Sequence, residues 1–227
     1  MRPSRRLLLL GLLLLSGVGL NAGETKAERP RVLVIGDSIY RQPVAELTKA
    51  QKEALEIVYV SLEPGEICNT TTALESLDRW LGDGSWDLIH FNFGLGDLVH
   101  RAPGMKAFRV LPIPAGGVRS TSPAQYEANL RKLVDRLKAT DARLVWASTT
   151  PIRHSATRVF EKGSEIEYNT IAARVMKEKG VPINDMYTYV FELIDMDKPA
   201  GHNADPFSFD KKPIHPPILE SIQAHLP

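Results

Sequence analysis

The sequence predicts an α/β fold: a five-stranded parallel sheet with helices on both faces. Three observations predict it. Short apolar runs, rich in β-branched residues, recur at 31–36, 57–62, 86–93, 143–149 and 181–185. Segments with apolar residues at helical spacing lie between them. The first run, RVLVIG, is continuous rather than alternating, as expected of a strand covered on both faces. Strand–helix alternation of this kind builds a parallel sheet. Such sheets carry their ligands at the carboxyl ends of the strands.

The chain opens differently. MRPSRR is a basic start, and LLLLGLLLLSGVGL (7–20) is an apolar run of signal-peptide length. It falls short of the roughly 20 residues that span a bilayer. Residues 1–27 therefore read as a cleaved secretory signal ending at Ala22 or Ala27, and 28–227 as one domain. An uncleaved anchor is the other reading, because Leu20 is a poor third residue before a cut after Ala22.

The elements follow in order. After the strand at 31–36, residues 43–56 read as a helix with Pro43 near its first turn. Residues 57–62 form the second strand. Residues 70–84 place Ala73, Leu74, Leu77, Trp80 and Leu81 on one stripe, with Gly82 able to end the helix. The third strand is 86–93. Residues 122–140 are the clearest helix, with Ser122 as its cap and Pro123 in its first turn. The fourth strand is 143–149. A helix at 165–180 closes on Gly180, and the fifth strand is 181–185. Short helices at 186–194 and 216–226 complete the chain. The irregular stretches 98–121 and 195–215 are long for a compact domain, which marks functional or mobile loops.

Composition narrows the function. A net charge of +1 with no basic block after the first residues argues against nucleic acid or an anionic membrane surface as a partner. Cys68 is the only cysteine, so an exported chain has no internal disulfide and rests on a conventional core. Cys68 also lacks nearby metal-ligand partners, and no Gly-rich phosphate loop follows the first strand.

The strand ends carry the chemistry. The first leads to Gly36-Asp37-Ser38, the second to Cys68-Asn69-Thr70, and the third to Asn92, Gly94, Gly96 and Asp97. The tail supplies Asp205, Asp210 and His215 near the last helix. A serine at a strand-to-helix turn is a helix cap or a nucleophile. As a nucleophile it needs a base, usually a histidine held by a carboxylate, and donors for the oxyanion. The G-x-S-x-G elbow is absent, because position 40 is Tyr. His90 lies inside a strand and reads as a core histidine. His100 and His154 could line a cleft, while His202 and His225 read as surface residues. Trp80, Trp86 and Trp146 read as core. The stretch 98–121 reads as a lid or substrate wall, where Arg101, Lys106, Arg109 and Arg119 either meet an anionic substrate or form a solvated loop.

VIGDSI followed by a late histidine resembles the SGNH, or GDSL, hydrolase superfamily. The blocks LDRWLGDGSWDLIHFNFGLGDL, PAQYEANLRKLVDRLKATDARLVWASTTP and YNTIAARVMKEKGVPINDMYTYV resemble a secreted bacterial subgroup of it. The resemblance implies a flavodoxin-like three-layer α/β/α fold and ester hydrolysis by a Ser–His pair, with no metal or organic cofactor. Ser38 matches the nucleophile and His215 the base. Gly94-Leu95-Gly96-Asp97 stands at the G-x-N-D block, so Gly96 replaces the asparagine that donates to the oxyanion. Cys68 or Asn69 stands where the family has a glycine, and Lys212 where it has the carboxylate before the histidine. Backbone N–H groups of Ser38 and residues 68–70, or the amides of Asn92 or Asn69, would repair the oxyanion site. Asp210 or Asp205, or a backbone carbonyl, would hold His215. The expected substrate is a small acyl ester or an acetylated carbohydrate outside the cell, with no membrane association after signal cleavage. The alternative is the same fold, weak or inert as a catalyst, binding a glycan or partner.

Overall fold

The computed structural model describes residues 28–105, 108–153, 158–198, 207 and 209–226. The expected signal segment at 1–27, Lys106, His154, His202 and Asp205 lie outside these residues. In chain order the strands are β1 (Arg31–Ile35), β2 (Glu56–Tyr59), β3 (Leu88–Phe91), β4 (His100–Arg101), β5 (Val118–Arg119), β6 (Arg143–Ala147) and β7 (Ile183–Asn184). The helices are α1 (Arg41–Ala50), α2 (Thr70–Leu81), α3 (Leu95–Leu98), α4 (Pro123–Lys138), α5 (Ser164–Lys179), α6 (Met186–Leu193) and α7 (His215–His225).

Five strands form one sheet in the order β2-β1-β3-β6-β7. Every pairing in it is parallel. The expected flavodoxin-like order and three layers are therefore present. The pleat sorts the core. Leu33 and Ile35 face α2, α4 and α5, where Leu77, Leu130 and Tyr168 meet them. Val32 and Val34 face α1, α6 and α7, where Leu47, Val190 and Ile218 meet them. Each face is apolar because each is roofed by helices.

Local chemistry sets most boundaries. Asn69, Ser122 and Asp185 each accept the N–H three residues on, capping α2, α4 and α6. Gly180 ends α5 at φ 66°, a conformation that costs a side chain energy. Two expectations differ. The helix expected at 43–56 runs from Arg41 only to Ala50, because Glu56 N–H donates to the Pro30 carbonyl and draws the chain into the sheet. The stretch 98–121 is not irregular throughout: β4 pairs antiparallel with β5, and residues 113–115 form a 3-10 turn.

Candidate active site

The switch between β1 and α1 is held from three sides. Asp37 Oδ1 accepts from Ile39 N–H at 3.1 Å and caps the 3-10 turn Ser38–Tyr40. The Tyr59 hydroxyl donates to the carbonyls of Gly36 and Asp37, at 2.9 and 2.8 Å. The Tyr40 ring packs on Gly36 so closely that a Cβ there would stand 2.6 Å from a ring carbon. Burial pushes the Asp37 carboxyl up to about 6. Ser38 itself is exposed. Its hydroxyl is uncommitted among the described residues, free to meet a substrate.

Ser38 opens into a cleft of about 600 Å³. Ile39, Leu62, Val99, Phe108, Phe160 and Phe207 give it an apolar lining. Val99, Phe108 and Val110 come from the 98–121 stretch, which thus forms a wall of the cleft. The basic residues of that stretch are not all turned to a ligand. Arg119 pairs with Glu161 at 2.8 Å and lies over the Tyr168 ring.

Cys68 and Gly96 line the same cleft as Ser38. A Cβ at Gly96 would stand 2.1 Å from the Cys68 carbonyl oxygen, so the backbone of the loop before α2 occupies the space an asparagine would need. The amide expected from Asn92 is committed. It donates to the Ala147 carbonyl and Thr149 Oγ1, tying β3 to β6 in a buried position. Gly94 serves the same junction, where a Cβ would strike Thr149 Oγ1. Asn69 caps α2 through Oδ1. Its N–H donates to the Ile67 carbonyl, and the Thr70 N–H donates to Asp97. The backbone N–H groups of Ser38, Cys68 and Gly96 have no acceptor among the described residues. All three belong to residues on the cleft wall. Unoccupied donors of this kind are what an oxyanion requires.

Asp97 explains how this loop is held. Its carboxylate is fully buried and accepts from the Thr70 N–H and hydroxyl. Asn129 donates in turn to the hydroxyls of Thr70 and Thr71. Burial pushes the Asp97 carboxyl up to about 6.

His215 opens α7. Its surroundings correct one expectation. Asp210 does not face it: Asp210 pairs with the buried Arg153 and with Lys198, both at 3.0 Å, and those cations hold its carboxyl below the usual range. Residues 209–211 all carry positive φ, and this left-handed turn directs Asp210 to the two cations. The group at His215 Nδ1 is Glu46 Oε2 from α1, at 3.0 Å. Sequence reasoning missed Glu46. No hydrogen bond joins His215 to Ser38 among the described residues.

The other histidines among the described residues make structural contacts. His90 is fully buried beside Asn184 at 3.0 Å, and burial pushes it down to about 4. His100 meets the Val159 carbonyl and His225 the Ser221 carbonyl.

No family model matches the chain, and no curated protein sequence matches it significantly. Solved structures do match. An acetyl xylan esterase, AlAXEase, is 12% identical with a TM-score of 0.62, covering 85% of this chain and 99% of that one. A lipase/acylhydrolase from Enterococcus faecalis is 14% identical with a TM-score of 0.63, covering 87% and 97%. A GDSL-like lipase from Bacteroides thetaiotaomicron is 15% identical with a TM-score of 0.59, covering 86% and 88%. These likenesses span most of each chain. The chain has the three-layer α/β/α fold of the SGNH, or GDSL, hydrolases.

Proposed function

We propose that the protein is an exported serine hydrolase that cleaves carboxylic esters, with Ser38 as nucleophile and His215 as general base. One observation carries the reading. The exposed Ser38 hydroxyl opens into an apolar cleft whose wall also holds three uncommitted backbone N–H groups. His215 Nε2 takes the Ser38 proton as Oγ bonds to the ester carbon. The carbonyl oxygen becomes an oxyanion and meets the N–H groups of Ser38, Cys68 and Gly96. The ester C–O bond then breaks, and the histidine returns its proton to the departing alkoxide. Water attacks the acyl-enzyme, gives a proton to His215, and the acid leaves as Ser38 recovers its hydrogen. The Ser38–His215 bond forms as substrate enters, since such bonds are often long in the empty enzyme.

Export rests on the apolar run at 7–20, and no helix among the described residues is long and apolar enough to cross a membrane. The cleft lining suits the acyl portion of a small ester. The acetyl xylan esterase among the structural neighbours supports an acetylated carbohydrate as a further substrate. The missing amide at Gly96 favours a second reading, an inert relative that binds a glycan or partner in this cleft.

One experiment separates the two. The purified protein should hydrolyse p-nitrophenyl acetate and take a fluorophosphonate label at Ser38. Ser38→Ala should lose at least about 10³-fold in kcat and all label. Labelling absent from the parent protein would select the inert reading.

A further inference from the structure

We propose that Glu46 positions His215, doing from α1 what a carboxylate at position 212 would otherwise do. The proposal rests on the Ser38–His215 reading above. Position 212 is a lysine whose Nζ donates to the Leu193 carbonyl. Asp210 is committed to Arg153 and Lys198. Among the described residues, the carboxylate that does reach the imidazole is Glu46, with Oε2 3.0 Å from Nδ1.

Glu46 is itself oriented. Gln42, one turn earlier on α1, donates its amide to Glu46 Oε1 at 3.0 Å. One carboxylate oxygen is thereby held by the helix, and the other is turned to the histidine. Helical side chains lean toward the helix N-terminus, which for Glu46 is the direction of Ser38. Glu46 lies eight positions after Ser38, across the 3-10 turn Ser38–Tyr40 and the first part of α1. Nδ1 is shut off from solvent, and the carboxylate stands off its N–H axis rather than in line with it. Glu46 therefore acts on the resting imidazole mainly as a negative charge.

The chemical consequence follows from which nitrogen faces the carboxylate. A negative charge at Nδ1 favours the tautomer with its hydrogen there, leaving the Nε2 lone pair for the Ser38 proton. When the Oγ–H bond breaks and the Nε2–H bond forms, the imidazole becomes a cation. Glu46 stabilises that cation. The pair is partly exposed, with side chains 33% and 47% accessible for His215 and Glu46, so solvent softens the effect.

The test uses the full protein with p-nitrophenyl acetate. Glu46→Gln keeps the shape and removes the charge. Its kcat should fall about tenfold to a hundredfold, with KM within about threefold of the parent. Glu46→Asp keeps the charge and should retain more of kcat than Glu46→Gln. An unchanged melting temperature in both variants would show that folding is not the cause. A Glu46→Gln kcat within about twofold of the parent would overturn the proposal, as would a loss confined to KM. So would a Glu46→Asp no more active than Glu46→Gln. Ser38→Ala separates the two levels. If it abolishes hydrolysis while Glu46→Gln does not, only the Glu46 assignment fails. If hydrolysis survives Ser38→Ala, the nucleophile is wrong and the Glu46 assignment falls with it.

Discussion

Gly96 shows how one missing side chain reorganises a site. An amide is absent there because the Cys68 carbonyl stands where its Cβ would be. Putting the asparagine back should therefore fail as a repair. Gly96→Asn should cost about 1–3 kcal/mol from overpacking, seen as a lower melting temperature, with no gain in esterase activity. The place of Ser38, on an exposed turn at the end of a buried strand, was legible in the sequence. Glu46 was not. It sits on the outer face of an amphipathic helix, where a glutamate reads like any solvated charge. Only the packing of α7 against α1 reveals its partner. Asp210 misled for the mirror reason. It is close to His215 in sequence, but the left-handed turn at 209–211 gives it to Arg153.

Among the α-helices, α3 does the most with the least length. Its four residues carry Asp97, whose carboxylate receives the first turn of α2. Burial raises that carboxyl from its ordinary 3.8 to about 6. The folded protein thus keeps a proton there that the unfolded chain has released. The stability this supplies is full below about pH 4 and is lost as pH climbs through about 6. Asp37 behaves in the same way. His90, pushed down to about 4, works in the opposite direction: its contribution is full above about pH 6.5 and is lost as pH falls through 4. Asp97→Asn isolates one of these, since an amide oxygen can still accept from Thr70. Relative to the parent, the variant should gain about 2–3 kcal/mol between pH 4 and pH 8. Thermal melts across that range check it, and a constant difference would disprove the assignment. The helices were legible from spacing and caps: Ser122 and Gly180 act where the sequence placed them, whereas Asn69, expected at the oxyanion site, caps α2. β4 and β5 were not, because two-residue strands hold no periodicity. α1 ended early because the pull of β2 on Glu56 outweighs a favourable helical composition.

At the scale of the whole molecule, one sheet separates two cores that share its strands. Leu33 and Val34 are neighbours in sequence yet belong to opposite layers. Damage to either layer is therefore expected to unfold both. Leu77→Ala, in a site with no exposure, should cost about 2–5 kcal/mol. Its denaturant transition should remain single, with tryptophan fluorescence and circular dichroism falling together. The cleft draws walls from six separated parts of the chain, from the GDS turn to Phe207, so its apolar character could not be read from any one segment.

The close approach of Gly96 to Cys68 also constrains the substitutions open to this chain. Any side chain at position 96 must first move the neighbouring loop, and that loop is pinned by Thr70 to Asp97. Position 96 is thus epistatic with the loop before α2: a larger residue there needs compensating changes around Cys68, Thr70 and Asp97.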